Sequence, residues 1–164
     1  MSVKINTENQ LGVISSEDWM KRALKLAVRS FDMDEVPIGC IIVHDNKIIG
    51  QGYNQCESLN DATAHAEMIA ITAASSTLDT WRLNECSIYV TKEPCSMCAG
   101  AIVNSRIEKV YFGCYDTELG ACGSKFEICG NPNSATPSVV KGGILEHESL
   151  SLIQEYFITK RKGK

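Results

Sequence analysis

No stretch of this 164-residue chain approaches the roughly 20 consecutive apolar residues that cross a bilayer, and residues 1–14 lack the charged-then-apolar layout of an export signal. A soluble intracellular protein, cytoplasmic and without a membrane partner, is the expectation. Basic surplus is missing too. The 16 Lys and Arg are outnumbered by 20 Asp and Glu, a net charge of −4, so any contact with nucleic acid must be local. One local source is the C-terminal run Lys160, Arg161, Lys162 and Lys164, whose charges also complement the negative end of a helix. Prolines number only four, and no repeat, low-complexity block or linker divides the chain. With 44% apolar residues the length suits one core, so residues 1–164 are expected to form a single domain, with an N-terminal extension over 1–14 and a basic tail over 160–164. The eight cysteines lie in ordinary apolar segments rather than a short loop-rich scaffold, so the question is which of them bind metal.

Ser15-Ser16-Glu17-Asp18 reads as a capped helix start, and Trp19, Ala23, Leu26, Ala27 and Ser30 follow at helical spacing. The apolar run Ile38 to Val43, the turn Asp45-Asn46 and the segment Lys47 to Tyr53 predict a β-hairpin. A buried helix is expected over Ala64 to Ala74, a strand at Ser87 to Thr91, a small-residue helix at Cys95 to Asn104 and a strand at Lys109 to Cys114. Gly120, Gly123, Gly130, Pro132 and Pro137 mark a long irregular stretch with room for a short helical turn, and an apolar segment at Val139 to Leu145 follows it. A last helix, about His147 to Lys160, is expected to turn Leu150, Ile153, Tyr156 and Phe157 to the core. This order predicts an α/β fold, a mixed sheet covered by helices on both faces.

Two segments carry the chemistry: Thr63-Ala64-His65-Ala66-Glu67 and Glu93-Pro94-Cys95-Ser96-Met97-Cys98. Cysteines three apart at a helix start share one face, and the positive helix end favours their thiolates. Such a pair alone also suits redox chemistry. His65 adds a nitrogen donor at a second helix start. Three such ligands leave one corner of a tetrahedron for water, the arrangement of a catalytic zinc; a fourth cysteine from Cys40, Cys56, Cys86, Cys114, Cys122 or Cys129 would instead close a structural site. Glu67 favours the catalytic reading, although residues two apart converge only on a site that views the helix end-on. Lowering the pKa of water from about 15.7 to about 7 is nominally worth about 12 kcal/mol, whereas a positioned acid or base supplies roughly 10²- to 10⁴-fold. The metal therefore generates the nucleophile and Glu67 serves the proton traffic.

His65-Ala66-Glu67, residues 68–93 and then Pro94-Cys95-x-x-Cys98 form the signature of zinc nucleobase deaminases. The stretches Asn60 to Glu67, Glu93 to Ile102, Ser105 to Gly113 and Asp116 to Ser124, with Glu35-Val36-Pro37-Ile38-Gly39, resemble the bacterial tRNA-specific adenosine deaminases over about residues 16–161. The chain departs from that pattern at Lys92 and across Lys125 to Ser138, where an Asn, Pro and Ser-rich run replaces a histidine-containing one. The resemblance implies a cytidine-deaminase-like three-layer α/β/α fold with about five strands, a homodimer, Zn2+ held by His65, Cys95 and Cys98, and conversion of adenosine to inosine at the wobble position of a tRNA anticodon stem-loop. It implies further that Glu67 shuttles protons, that Asn54 and the backbone of Ala66 hold the target base, and that Asp116 lies near a flanking nucleotide. Ordinary turn roles for Asn54 and Asp116 stay open. The rivals are a deaminase of free guanine, cytosine or nucleoside, and a non-catalytic zinc-containing RNA-binding subunit; members of the latter class typically lack the glutamate.

Overall fold

The computed structural model describes residues 14–162. All of the expected N-terminal extension except Ile14, and Gly163 and Lys164 of the tail, lie outside them. Helix α1 spans Ser16–Asp32, and the Ser15 hydroxyl caps it by accepting from the Asp18 amide at 3.1 Å. Glu17 and Asp18 in its first turn and Arg29 in its last complement the helix dipole. Trp19, Met20, Ala23, Ala27 and Ser30 form its buried face. Strands β1 (Gly39–His44) and β2 (Lys47–Tyr53) pair antiparallel across Asp45-Asn46, whose φ values of 48° and 56° are those of the hairpin turn that matches strand twist. A register shift falls between Ile42 and Val43.

After the four-residue helix α2 (Cys56–Leu59) come α3 (Ala66–Leu78), β3 (Ser87–Lys92), α4 (Ser96–Asn104), β4 (Lys109–Cys114), β5 (Val139–Lys141) and α5 (Glu146–Lys162). The strands run β2-β1-β3-β4-β5, antiparallel on either side of β1 and parallel from β3 to β5. Strand β1 shows why both faces need helices. Cys40 and Ile42 pack with Ala66, Ala70, Ala99 and Ile102 of α3 and α4, while Ile41 and Val43 pack with Trp19, Met20 and Ala23 of α1. The expected mixed, five-stranded α/β/α layering is what forms. Each fully buried aliphatic side chain, such as Ile88 or Ile102, contributes roughly 1.5–3 kcal/mol.

One close approach sets the position of α3. A Cβ on Gly52 would lie 2.4 Å from the Ala66 carbonyl oxygen, and one on Gly50 would lie 2.4 Å from that of Ala70. Backbone meets backbone there, so β2 fixes where the α3 N-terminus sits.

Two expectations are corrected. Leu150 and Phe157 are 40% and 47% exposed rather than in the core. The inner face of α5 is set instead by Tyr156, whose hydroxyl donates to the Asp34 carbonyl at 3.0 Å and whose ring meets Phe31 edge-on, with Ser149 two turns earlier; Leu150 and Phe157 lie one position further round. The irregular stretch forms no helix, and its expected short helical turn is the isolated one closed by the Gly120 amide on the Asp116 carbonyl at 2.9 Å; bridges from Cys95 to Gly120 and from Cys122 to Glu127 organise the rest. The apolar segment after it yields only the three-residue β5, because Gly142 and Gly143 follow.

Candidate metal centre and active site

His65 and Cys95 occupy equivalent places. Each immediately precedes a helix, α3 and α4 respectively, in extended conformation (φ −71°, ψ 153° and φ −73°, ψ 173°), and neither side chain caps its own helix. Both side chains are therefore free to point across the gap between two helix N-termini. Cys98, on the first turn of α4, completes the group. His65 Nδ1 lies 3.7 Å from Cys95 Sγ and 3.5 Å from Cys98 Sγ, and the three donor atoms all fall within 4.8 Å of one another. A tetrahedral zinc with Zn–S of about 2.3 Å and Zn–N of about 2.0–2.1 Å sets donors about 3.6 Å (N to S) apart, so the observed spacing fits that ion. Among the described residues no further His, Cys, Asp or Glu joins the group. Among the described residues, then, the open three-ligand arrangement is the one the donors fit, and the closed four-ligand alternative finds no fourth side chain.

The charges around the donors agree with metal binding. Cys95 is drawn down to about 3, first by the hydrogen bond from the Cys98 thiol and then, against its own burial, by His65. The same bond, with burial and the Glu67 carboxylate, pushes Cys98 far up. His65 is raised, chiefly by its bond to Cys95, against burial. One thiolate beside a second thiol is a ready donor set for a soft or borderline cation, with the positive ends of α3 and α4 beneath it.

Glu67 stands in the first turn of α3, only 4% exposed. Burial lifts its carboxyl above the usual range, its own backbone N–H pulls it back, and Cys95 adds to the rise. A carboxyl tuned upward beside three metal donors suits proton transfer near neutral pH.

Asn54 follows β2 and is held from both ends. Its Nδ2 donates to Glu35 Oε2 at 3.2 Å, and its Oδ1 accepts from the Cys56 thiol at 3.2 Å. The fully buried Glu35 also accepts from the Glu57 and Ser58 amides at 3.2 and 2.7 Å, so the end of β2 and the start of α2 share one carboxylate. The Gln55 amide donates to Ala64 at 3.0 Å, tying Asn54 to the segment that carries His65. Ala66 is the first residue of α3, where a helix leaves its N–H groups without an internal partner.

Asp116 is less free than the sequence implied. One of its oxygens pairs with the Lys92 ammonium, and the other accepts from the Glu118 and Leu119 amides at 3.0 and 3.1 Å. Burial raises its carboxyl, but Lys92 and the two amides outweigh that and hold it below the ordinary range. The residue that sequence reasoning missed is Glu93, quoted in the motif but given no role. Its buried carboxylate accepts from the amides of Asp116 (2.9 Å), Cys122 (3.1 Å) and Ser124 (3.0 Å) and from the Ser124 hydroxyl (2.5 Å). It thus anchors the 116–124 loop directly behind Cys95. An acidic residue immediately before Pro-Cys, with a glycine-rich loop downstream, was the available signal.

A cavity of about 940 Å³ opens between the end of α1, α2 and α5, lined by Glu35, Tyr156, Phe157, Lys160 and Arg161 among others. It contains none of the three donors and meets the site through Glu35, so the chemistry is located by the donors and not by this hollow.

Residues 14–114 match the cytidine and deoxycytidylate deaminase zinc-binding region. A tRNA-specific adenosine deaminase of Bacillus subtilis is 40% identical over 148 residues, covering 90% of this chain and 92% of that one. The chain belongs to this deaminase family, in the branch of the tRNA-specific adenosine deaminases. The chloroplastic tRNA(adenine(34)) deaminase of Arabidopsis thaliana is 42% identical over 157 residues, 86% of this chain but only 12% of that much longer protein. A solved structure from work on A-to-I editing by tRNA:A34 deaminases at the wobble position of transfer RNA superposes with a TM-score of 0.77 at 39% identity, covering 81% of this chain and 96% of that one. The zinc expected from the motif is the family's metal, and in this deaminase His65, Cys95 and Cys98 are positioned to bind it.

Proposed function

We propose that the chain is a zinc-dependent hydrolase that converts adenosine to inosine at the wobble position of a tRNA anticodon. The observation that carries this is the convergence of His65, Cys95 and Cys98 at two helix starts, with buried Glu67 beside them, in a chain so similar to tRNA-specific adenosine deaminases along nearly its whole length. When bound, zinc makes a water-derived nucleophile available at neutral pH. Glu67 takes the first proton that water gives up and delivers it to N1 of the adenine as the water oxygen bonds C6; it then takes the second proton from that oxygen and passes it to the amino group, and the C6–N bond breaks to release ammonia. Asn54, its amide fixed by Glu35 and Cys56, hydrogen-bonds the base. The open N–H at Ala66 helps to hold it, and Asp116 with Lys92 faces the flanking nucleotide.

A loop substrate suits this geometry, since splaying a base from a single-stranded anticodon loop costs little. Lys160, Arg161 and the exposed Phe157 at the mouth of the cavity offer cations and one aromatic face to the RNA backbone and bases. Lys160 is already paired with Asp34 at 2.5 Å, so Arg161 and Lys162 carry most of this contact. Residues 1–164 act as one domain, in the cytoplasm, as a homodimer; sedimentation at micromolar concentration checks the assembly. No helix among the described residues is long and apolar enough to cross a membrane.

Incubating the purified chain with an anticodon stem-loop beside free guanine, cytosine and adenosine tests the assignment. Inosine in the stem-loop is the expected product; ammonia released only from the small molecules overturns it. Removing residues 160–164 is expected to weaken stem-loop affinity and flatten its salt dependence, and unchanged binding at low salt rejects the tail's role.

A further inference from the structure

Two of the six thiols outside the metal centre lie against each other. Cys122 Sγ and Cys129 Sγ are 2.9 Å apart, both buried at 5% and 0% exposure, and Cys129 lies in the stretch where the chain departs from its family's pattern. Two unbonded sulfurs rest at about twice the sulfur radius, well beyond this separation, so the backbone places them for bonding more closely than for simple packing. That backbone is well defined. A bridge joins Cys122 to Glu127, the Gly123 amide donates to Phe126 at 2.9 Å and the Ile128 amide to Ala121 at 2.9 Å, which folds residues 121–128 back on themselves and brings the two cysteines together. Neither is among the three metal donors.

We propose that Cys122 and Cys129 form a dithiol that closes to an intrachain disulfide, an oxidation site distinct from the metal-binding thiols. The co-reactant is a peroxide. Cys122, the more exposed of the two, attacks one peroxide oxygen as thiolate; the O–O bond breaks, and the leaving hydroxide takes up the thiol proton as water. The resulting sulfenic sulfur is attacked by Cys129, the S–O bond breaks, and a second water leaves with the second thiol proton. Two electrons pass from the thiols to the peroxide. Contact with Cys129 and burial both hold the Cys122 thiol well above its ordinary range, so closure is slow at neutral pH and quickens as pH rises. The bond would staple the loop whose amides bind Glu93 directly behind Cys95.

The test uses the full zinc-loaded chain, treated with hydrogen peroxide or with dithiothreitol, then alkylated under denaturing conditions and digested. A linked peptide carrying Cys122 and Cys129, two hydrogen atoms lighter, is expected, with Cys95 and Cys98 alkylated and zinc retained. Because the bond closes a short loop already in place, oxidation is expected to raise Tm by about 5–10 °C, and the Cys129→Ser variant to show neither the link nor the redox-dependent Tm. Recovery of Cys122 and Cys129 both alkylated after peroxide, or a link that lowers Tm, overturns the proposal without recourse to any variant.

Discussion

Replacing Glu93 by Gln tests whether the loop behind the metal centre hangs on one carboxylate. The wild-type side chain serves three amides and one hydroxyl with two oxygens. In the variant, the best placement keeps the carbonyl oxygen on the Cys122 and Ser124 amides and turns the NH2 group to the Ser124 hydroxyl, which can rotate to accept. The Asp116 amide is then left facing a donor. Losing the charge weakens the two retained bonds by several tenths of a kcal/mol each, and an unpaired buried N–H costs about 1–3 kcal/mol, so the total is about 3 kcal/mol. For a chain of this size that is a fall in Tm of about 6–12 °C. Melting of the zinc-loaded protein followed by calorimetry, with the rate of zinc loss to a chelator, reads both effects; faster zinc release is expected because Cys95 is bridged to Gly120 in the same loop. A Tm within a degree of wild type and unchanged zinc release would refute the role given to Glu93.

Three further outcomes are expected. Glu67→Ala should reduce turnover by at least 10²-fold while zinc content stays stoichiometric, measured by inosine formation and metal analysis. Gly52→Ala places a methyl 2.4 Å from the Ala66 carbonyl oxygen, so it should cost roughly 1–3 kcal/mol or more in denaturant melts and displace the start of α3; a neutral result means β2 and α3 separate easily. Lys92→Met leaves Asp116 buried without its cation, so its carboxyl should titrate at higher pH than in wild type. A depressed carboxyl contributes stability that is present above its unfolded pKa and lost as pH falls through its folded one. The gap in Tm between wild type and variant should therefore be widest at neutral pH and close in acid, and parallel profiles would contradict the pairing.

Features governed by nearby residues were legible in the sequence. The Ser15 cap, the Asp45-Asn46 turn and the three-residue spacing of Cys95 and Cys98 each depend on backbone geometry within a few residues, and each stands where it was expected. The convergence of His65 on those cysteines was inferred from the order of elements and is met in the donor distances. What escaped notice were bonds between side chains and distant backbone. Glu35 reaches Asn54, Glu57 and Ser58, and Glu93 reaches Asp116, Cys122 and Ser124, across separations that leave no periodic trace. The face of α5 was misread for a related reason: one hydrogen bond from Tyr156 to Asp34 turns the helix, and hydrophobicity alone cannot weigh it against Leu150 and Phe157.

His65 and Cys95 sit at the mouths of their helices rather than along them. Changes of length at the far ends of α3 and α4, around Leu78 and Asn104, would move neither ligand, and new loops grafted there would leave the reaction centre as it was. A catalytic scaffold built this way can exchange its outer segments for new clients while its inorganic chemistry stays constant.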